Sequence, residues 1–385
     1  MLKKCNSCNI PETYETIEFD NKGKCNICSQ HEYKNSKIDW TKRKNDFEKI
    51  INHYKDKNDY DCIVPFSGGK DSTYTLFKLV NDYKIKPLVV QFNHGFMRQK
   101  VNENNIKTYK KLGVDVMTFT PNWKIVKSLM LESLIRKGDF CWHCHTGIFS
   151  YPMQIAVKFG IPLIIWGEPS SEYTAYYSYD SETTEQVDET RFNRFINLGI
   201  TSNDMFEMLK DSNLNIKMRD LKPYTYPHLR DLKKIGYQSI CLGSYFPWDV
   251  KKQTKVIMKE LDWQGDEVEG IPWDLYSYEK IECYMQGVRD YIKYLKRGYS
   301  RVTQMTALDI RNGRMNTEEA KNIIEKYEGK KPRSLEVFLD YLNINEEEFN
   351  NIVSKTVVSP FKPSFDTNEF SDKTWDFENW YKEKN

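Results

Sequence analysis

The segment that most constrains this chain is Phe66-Ser67-Gly68-Gly69-Lys70-Asp71-Ser72-Thr73. It follows the apolar run Cys62-Ile63-Val64-Pro65 and precedes a helical pattern with Leu76, Phe77 and Val80 on one face. A buried strand, a tight glycine turn and a helix start in direct succession leave few folds open. Two adjacent glycines let the backbone curl so that successive N–H groups point at one anion. The helix beginning near Asp71 adds the positive end of its dipole. Lys70 supplies a mobile cation for phosphate oxygens, Ser67 and Ser72 supply hydroxyls, and Asp71 suits Mg2+ held directly or through water. The bland alternative for the same residues is a glycine turn carrying a solvated lysine.

From Asp61 onward, short apolar runs alternate with helical patterns. Pro87–Phe92, Val114–Phe119, Ile161–Trp166 and Tyr237–Leu242 are expected to join Cys62–Phe66 as strands. Trp123, Val126, Leu129, Met130 and Leu134 mark an amphipathic helix between two of them. This alternation predicts an α/β fold, a parallel doubly wound sheet covered by helices on both faces. The expected organisation is a Cys-rich unit over 1–35, a linker helix over 36–60, the sheet domain over 61–250 with an irregular insertion at about 169–231, and a mainly helical region over 251–385. Insertions at the carboxyl edge of such a sheet shape substrate pockets, although Ser178–Glu189 is polar enough for a plain surface loop. Ile281, Tyr284, Met285, Val288, Tyr291, Ile292 and Leu295 predict a helix ending near Gly298. Asn316 with Glu319, and Asn345 with Glu348, have the spacing of helix starts.

The 57 basic and 55 acidic residues leave a net charge of +2, so no global field draws the chain to nucleic acid or to a membrane surface. No run reaches the roughly 18–20 apolar residues of a membrane span, and Met1–Cys8 lacks the apolar core of a signal peptide. A cytoplasmic chain with reduced thiols is therefore expected. Cys5, Cys8, Cys25 and Cys28 have the CxxC-x16-CxxC spacing of a zinc ribbon. Four thiolates close a tetrahedral site, so the expected Zn2+ is structural. Cys141-Trp142-His143-Cys144-His145 offers two thiols and two imidazoles, open to a second metal or to packed cysteines with histidines that contact substrate. Cys62 and Cys283 read as core. Trp166-Gly167-Glu168 ends the fourth strand at the loop's edge of the sheet, which makes Glu168 a candidate metal or substrate ligand. Asp309, Arg311 and Arg314, with Arg301, form a cluster suited either to an anionic substrate or to solvated ion pairs.

The loop resembles the SGGxDS loop of the PP-loop ATP pyrophosphatase superfamily, which includes NAD synthetase, GMP synthetase, asparagine synthetase and tRNA-modifying sulfurtransferases. The resemblance implies ATP cleaved between its α- and β-phosphates. Ser67, Gly68, Gly69, Lys70, Asp71 and Ser72 would hold the pyrophosphate with Mg2+, and Lys70 and Asp71 would act in catalysis. Adenine would lie at the end of the second strand, with Gln91, Asn93 and Gly167 as nucleotide contacts and His94 nearby. In sulfur-transferring members a CxxC and a later cysteine hold an iron–sulfur cluster, so the same fold would bring Cys141, Cys144 and Cys241 together.

Further motifs narrow the resemblance. They are Tyr245-Phe246-Pro247-Trp248-Asp249, Tyr278-Glu279-Lys280-Ile281-Glu282 and Asp309-Ile310-Arg311-Asn312-Gly313-Arg314-Met315, beside the zinc ribbon, the loop and Cys141–His145. Together they are similar to the N-acetyl sugar amidotransferase family of WbpG or PseA type, over nearly the entire chain. That resemblance implies an ATP-dependent, AMP-forming enzyme that turns an acetamido group of a bacterial surface sugar into an acetamidino group. The sugar would belong to lipopolysaccharide O-antigen or to a pseudaminic-acid flagellin glycan, free or nucleotide-linked. ATP would adenylate the amide oxygen, ammonia would attack the imidate, and AMP would leave. His143 is then a candidate proton carrier, and Glu168, Arg311 and Arg314 are candidate substrate ligands. No stretch reads as a glutaminase, and the resemblance implies that a separate glutaminase subunit supplies the ammonia. The competing reading is a PP-loop tRNA-thiolating enzyme, for which the small net charge is unfavourable.

Overall fold

A computed structural model describes residues 2–172, 176, 178–180, 182–210, 216–367 and 369–372. Five strands form one sheet: β1 (Cys62–Phe66), β2 (Pro87–Phe92), β3 (Asp115–Phe119), β4 (Leu163–Trp166) and β5 (Gln238–Cys241). Their order is β3-β2-β1-β4-β5 and every pairing is parallel. Helices α1 (Asn26–Lys37) and α2 (Trp40–Tyr54) precede the sheet. The crossovers carry α3 (Lys70–Tyr83), α4 (Gln99–Leu112), α5 (Trp123–Lys137) and α6 (Trp142–Phe159). Strands β3 and β4 start later than the apolar runs suggest because Val114 and Ile161 close the preceding helices, their N–H groups donating to Tyr109 O and Ala156 O.

The sheet is covered on both faces, as period-two burial requires. Cys62, Val64, Phe66 and Val89 enter one core with Leu76 and Leu79 of α3 and Val101 of α4. Ile63, Leu88 and Val90 enter the other with Met153, Ile155 and Ala156 of α6. The β4–β5 insertion holds α7 (Glu189–Arg191), α8 (Ser202–Leu209) and α9 (Leu229–Lys234), and Gln186 bridges antiparallel to Ile240 beside β5.

After β5 come α10 (Val250–Leu261), α11 (Trp273–Tyr276), α12 (Gln286–Arg297), α13 (Arg301–Arg311), α14 (Thr317–Tyr327), α15 (Ser334–Leu342) and α16 (Glu346–Ser354). Both expected capping boxes form, Asn316 with Glu319 and Asn345 with Glu348. Val126, Met130 and Leu134 of α5 pack with Val288 and Leu295 of α12, Phe338 of α15 and Phe349 of α16. The N-terminal unit rests on this layer through Tyr14, stacked on Tyr299 at 4.9 Å between ring centroids.

One helix starts later than its stripe predicts. The apolar spacing begins at Ile281, yet α12 begins at Gln286. The residues before it form a strap held to the end of the sheet. Tyr284 N donates to Phe96 O at 2.9 Å, Cys283 bridges to Met97, and Lys280 takes the left-handed φ of 53°. Tertiary pairing overrides helical periodicity here. Among the described residues no helix is long and apolar enough to cross a membrane.

Candidate active site

Strand β1 pairs with β2 on one side and β4 on the other, so the chain winds outward from it in both directions. The carboxyl ends of β1 and β4 flank the resulting crevice, where α/β sheets bind ligands. The turn Ser67-Gly68-Gly69 leaves β1 at this point. Gly68 has φ 84°, and a Cβ there would lie 2.2 Å from Asn105 Oδ1 and 2.7 Å from Val101 Cγ1, so only glycine fits. Ser72 Oγ accepts from Ser67 N at 3.3 Å and Gly68 N at 3.2 Å, and Ser67 Oγ accepts from Gly69 N at 3.3 Å. These long bonds hold the amides at the N-terminus of α3, ready to exchange hydroxyl partners for phosphate oxygens. Beside Gly68 the buried Asn105 carboxamide has no partner for either polar atom, and Thr73 Oγ1 lacks one too. Unpaired groups of this kind next to a glycine turn fit a nucleotide.

Lys70 is held, in place of the mobile cation expected. Its ammonium lies 2.8 Å from Asp71 Oδ2 and 2.9 Å from Glu279 Oε2, and the side chain is 5% exposed. Glu279 is itself buried and also faces Arg301 at 3.6 Å, whose other partner is Asp290. Glu282, in the same strap, covers Gly69; a Cβ at Gly69 would lie 1.8 Å from its Oε1. Chemical reasoning on the loop alone misses Glu279 and Glu282. The only signal for them is the Tyr278–Glu282 motif.

Asp71 Oδ1 accepts from Trp248 Nε1 at 3.2 Å. Glu168, at the end of β4, hydrogen-bonds to Asp71. Burial and the Asp71 charge push the Glu168 carboxyl up to about 8. Burial acts the same way on Asp71, but Lys70, the Glu168 hydrogen bond and Lys280 outweigh it and hold Asp71 below its usual value. The two carboxyls therefore share a proton at neutral pH. They are the residues that would hold Mg2+, whose charge would replace that proton. Gly167 lets β4 approach α3; a Cβ there would lie 3.2 Å from Asp71 O.

Gln91 and Asn93 stand at the carboxyl end of β2. Gln91 Oε1 accepts from Thr118 Oγ1 at 3.2 Å and Tyr109 OH at 3.3 Å, and Asn93 Oδ1 accepts from Gly95 N at 3.0 Å. His94 and His143 are adjacent and buried, with His143 Nε2 3.3 Å from His94 O. Burial pushes both imidazoles down to about 4, so they are neutral. His145 is likewise held near 3 by burial and the Arg289 charge.

The cysteines divide sharply. The thiols of Cys5, Cys8, Cys25 and Cys28 are buried, with all four sulfurs within 4.8 Å of one another. The 3.7 Å between Cys8 and Cys25 matches the ~3.8 Å sulfur separation of a tetrahedral zinc site with ~2.3 Å bonds. Cys141, Cys144 and Cys241 do not converge. Cys241 lies in the α6-side core with its sulfur 3.7 Å from Arg191 Nη1. Cys141 and Cys144 lie at the start of α6, in the core shared by α5 and α12, with Cys283 as their neighbour. Strand β5 places Cys241 on the insertion's side of the sheet, which sequence spacing does not reveal. Among the described residues no second metal-ligand cluster forms.

Arg311 and Arg314 lie against groups of the protein itself. Arg314 Nε is 2.8 Å from Asp309 and its Nη1 is 3.0 Å from Asp249. Arg311 is buried near Cys8 and Cys28, whose charge as thiolates would offset the cost of burying the guanidinium. A cation there offsets the negative charge of a tetrathiolate centre.

The sheet order and the glycine turn after β1 define an α/β fold with a PP-loop-like turn, joined to an N-terminal four-cysteine unit that could hold a metal. Residues 274–382 match the family model of the WbpG-like C-terminal domain of lipopolysaccharide biosynthesis proteins. An uncharacterized protein of Methanocaldococcus jannaschii, MJ1599, is 29% identical over 168 residues. That alignment covers 43% of this chain and 58% of the relative, so it spans little more than half of the relative's length. Among solved structures, the U34-tRNA thiolase NcsA of Methanococcus maripaludis with its 4Fe-4S cluster aligns at 13% identity and a TM-score of 0.35, over 85% of this chain and 88% of its own. The NMN synthetase of Francisella tularensis aligns at 10% identity and a TM-score of 0.36, over 84% and 98%.

Proposed function

We propose that this chain is an ATP-dependent, AMP-forming amidotransferase that converts an acetamido group of a bacterial surface sugar into an acetamidino group. One observation carries the proposal: the WbpG-like segment reaches the phosphate loop. Its Glu279 pairs with Lys70 and its Glu282 covers Gly69. A domain named for lipopolysaccharide biosynthesis thereby supplies side chains to the site suited to a triphosphate.

The loop amides and Lys70 bind the β- and γ-phosphates and stabilise charge on the departing pyrophosphate. Asp71 and Glu168 would hold Mg2+, which would neutralise charge on the triphosphate. Adenine sits at the end of β2, beside Gln91 and Asn93. The amide oxygen of the sugar attacks the α-phosphorus, and the bond from that phosphorus to the β-bridging oxygen breaks. Ammonia, from a separate glutaminase subunit, then adds to the amide carbon. AMP departs with the former amide oxygen, leaving an amidine. The proton brought by ammonia stays on the product, since an amidine is a strong base and leaves as the amidinium; His143 is not asked to take it, because burial makes that imidazole a weak base. The reaction needs ATP and belongs to the cytoplasm.

The test incubates the protein with Mg-ATP, ammonium and a panel of acetamido sugars, free and nucleotide-linked. Mass spectrometry should show a loss of about 1 Da as O is replaced by NH, together with AMP and pyrophosphate. Lys70→Ala should abolish all three. Pyrophosphate release stimulated by tRNA, with no amidine across the panel, would overturn the proposal in favour of RNA modification.

A further inference from the structure

We propose that a basic cavity between α5, α12 and the β4–β5 insertion is a second ligand site, which takes a small molecule through a diphosphate group. The cavity encloses about 440 Å3, within the ~300–1,000 Å3 of small-molecule pockets. Helix α12 lines it with Arg289, Lys293, Lys296 and Arg297, the i, i+4, i+7, i+8 stripe of one helical face. Like charges at this spacing weaken a helix, so the stripe needs a counter-anion. Lys137 and Arg194 add two cations from the facing walls, and only Glu15 and Asp139 oppose the six. The whole chain carries just +2, so this concentration is local.

Three of the six cations, all on α12, have polar partners. Glu15 lies 3.8 Å from Lys293 and 3.4 Å from Arg297, and Lys296 donates to Lys137 O and Gly138 O. Arg289 is different. It lines the cavity and, among the described residues, its guanidinium has no hydrogen bond and no ion pair within 4 Å, although the charges of Asp139 and Asp290 favour it. A planar five-donor guanidinium in a concave wall is suited to bidentate phosphate contacts. Tyr176 and Phe195 complete the pocket with ring centroids 4.3 Å apart, an aromatic wall fit for a base or a sugar ring.

The cavity is distinct from the loop's site, since no residue of Ser67–Ser72 lines it. Asp139 and Phe140, which line it, lead directly into Cys141–His145, where His143 meets His94 just past the end of β2. That this ligand is the sugar acceptor, esterified to a nucleoside diphosphate, rests on the amidotransferase reading; the binding itself does not.

The test is calorimetric titration of the full chain with UDP, GDP, dTDP, inorganic pyrophosphate and ATP, at low and at high salt. At least one nucleoside diphosphate should bind one to one without displacing ATP, and more weakly in high salt. Arg289→Gln should weaken it about tenfold or more while ATP affinity stays unchanged. Phe195→Ala, which leaves every cation in place, should weaken the nucleoside diphosphate and spare pyrophosphate. Arg289-dependent binding of pyrophosphate alone would still support a diphosphate site and make the released pyrophosphate its ligand. No diphosphate binding, or binding that only ATP displaces and Arg289→Gln leaves intact, would overturn the proposal. A missing amidine product would leave these titrations unaffected, so the two failures are separable.

Discussion

The ion pair between Lys70 and Glu279 joins the phosphate loop to the WbpG-like domain, and a double-mutant cycle measures that junction. The perturbations are Lys70→Met and Glu279→Gln, which remove charge and largely keep shape. The partners are 2.9 Å apart with side chains 5% and 1% exposed, so neither charge can be rescued by water. Lys70→Met leaves the Asp71 and Glu279 carboxylates buried together, with Lys280 and Arg301 compensating only in part. Breaking a buried pair in this way costs about 3–5 kcal/mol. Glu279→Gln is milder, because Lys70 keeps Asp71 at 2.8 Å; a lost charged hydrogen bond costs about 1–3 kcal/mol. In the double variant neither partner is left without the other, so its loss should fall about 1–3 kcal/mol short of the sum. The assay is equilibrium urea unfolding at neutral pH, followed by tryptophan fluorescence and circular dichroism, with coincident transitions required before free energies are compared. Additivity within about 0.5 kcal/mol would refute the coupling. So would a Glu279→Gln protein that releases pyrophosphate at the wild-type rate.

Protein purified under reducing conditions should hold one zinc per chain at Cys5, Cys8, Cys25 and Cys28, and Cys8→Ser should lose the metal and melt earlier; metal analysis showing none, with an unchanged melt, would contradict this. Gly68→Ala must adopt φ 84° and push into Asn105, which costs about 2–5 kcal/mol, and thermal denaturation should show it. Gly69→Ala, at φ −73°, should melt close to wild type yet lose pyrophosphate release by displacing Glu282. Glu168 titrates near 8 when folded against an ordinary 4.5, so between those values the folded chain keeps a proton that the unfolded chain has lost. Stability contributed there is present below the lower value and falls as pH rises toward 8, and Glu168→Gln should flatten that slope in denaturation measured against pH. For the same reason Mg2+ affinity should rise with pH up to about 8.

The sheet was legible because its strands are short, apolar and separated by helical patterns, and β1 and β2 fall at their expected bounds. The N-terminal cysteine cluster was legible because local spacing alone brings four thiols together. What failed depended on long-range packing. Nothing in the spacing of Cys141, Cys144 and Cys241 says which face of the sheet β5 turns toward the insertion. The ion pairing of Arg314 was not legible because half of it is remote: Asp249, which pairs with Arg314 beside Asp309, lies 65 residues away in the chain. The cavity on α12 was hidden for the converse reason. Its cations occur every three or four residues in a chain rich in lysine, and only the fold shows that they share one concave wall.

The strap ahead of α12 explains why these separate features belong to one machine. It begins at Glu279 on the loop lysine, passes Lys280 in a left-handed conformation, bridges to Met97 at Cys283, and runs directly into the helix that carries Arg289 and Lys293. The apolar spacing favours a regular helix from Ile281, yet bends and turns over 279–285, around the bridge at Cys283, take its place. The unfavourable φ at Lys280 has a local cost, and the backbone bond from Tyr284 to Phe96 and the buried Glu279 pair offset it. The gain is position. One continuous segment holds the phosphate-loop lysine at one end and runs into the cationic stripe of α12 at the other. Under the proposed reaction, that continuity would tie the position of one substrate's α-phosphorus to that of the other's amide oxygen.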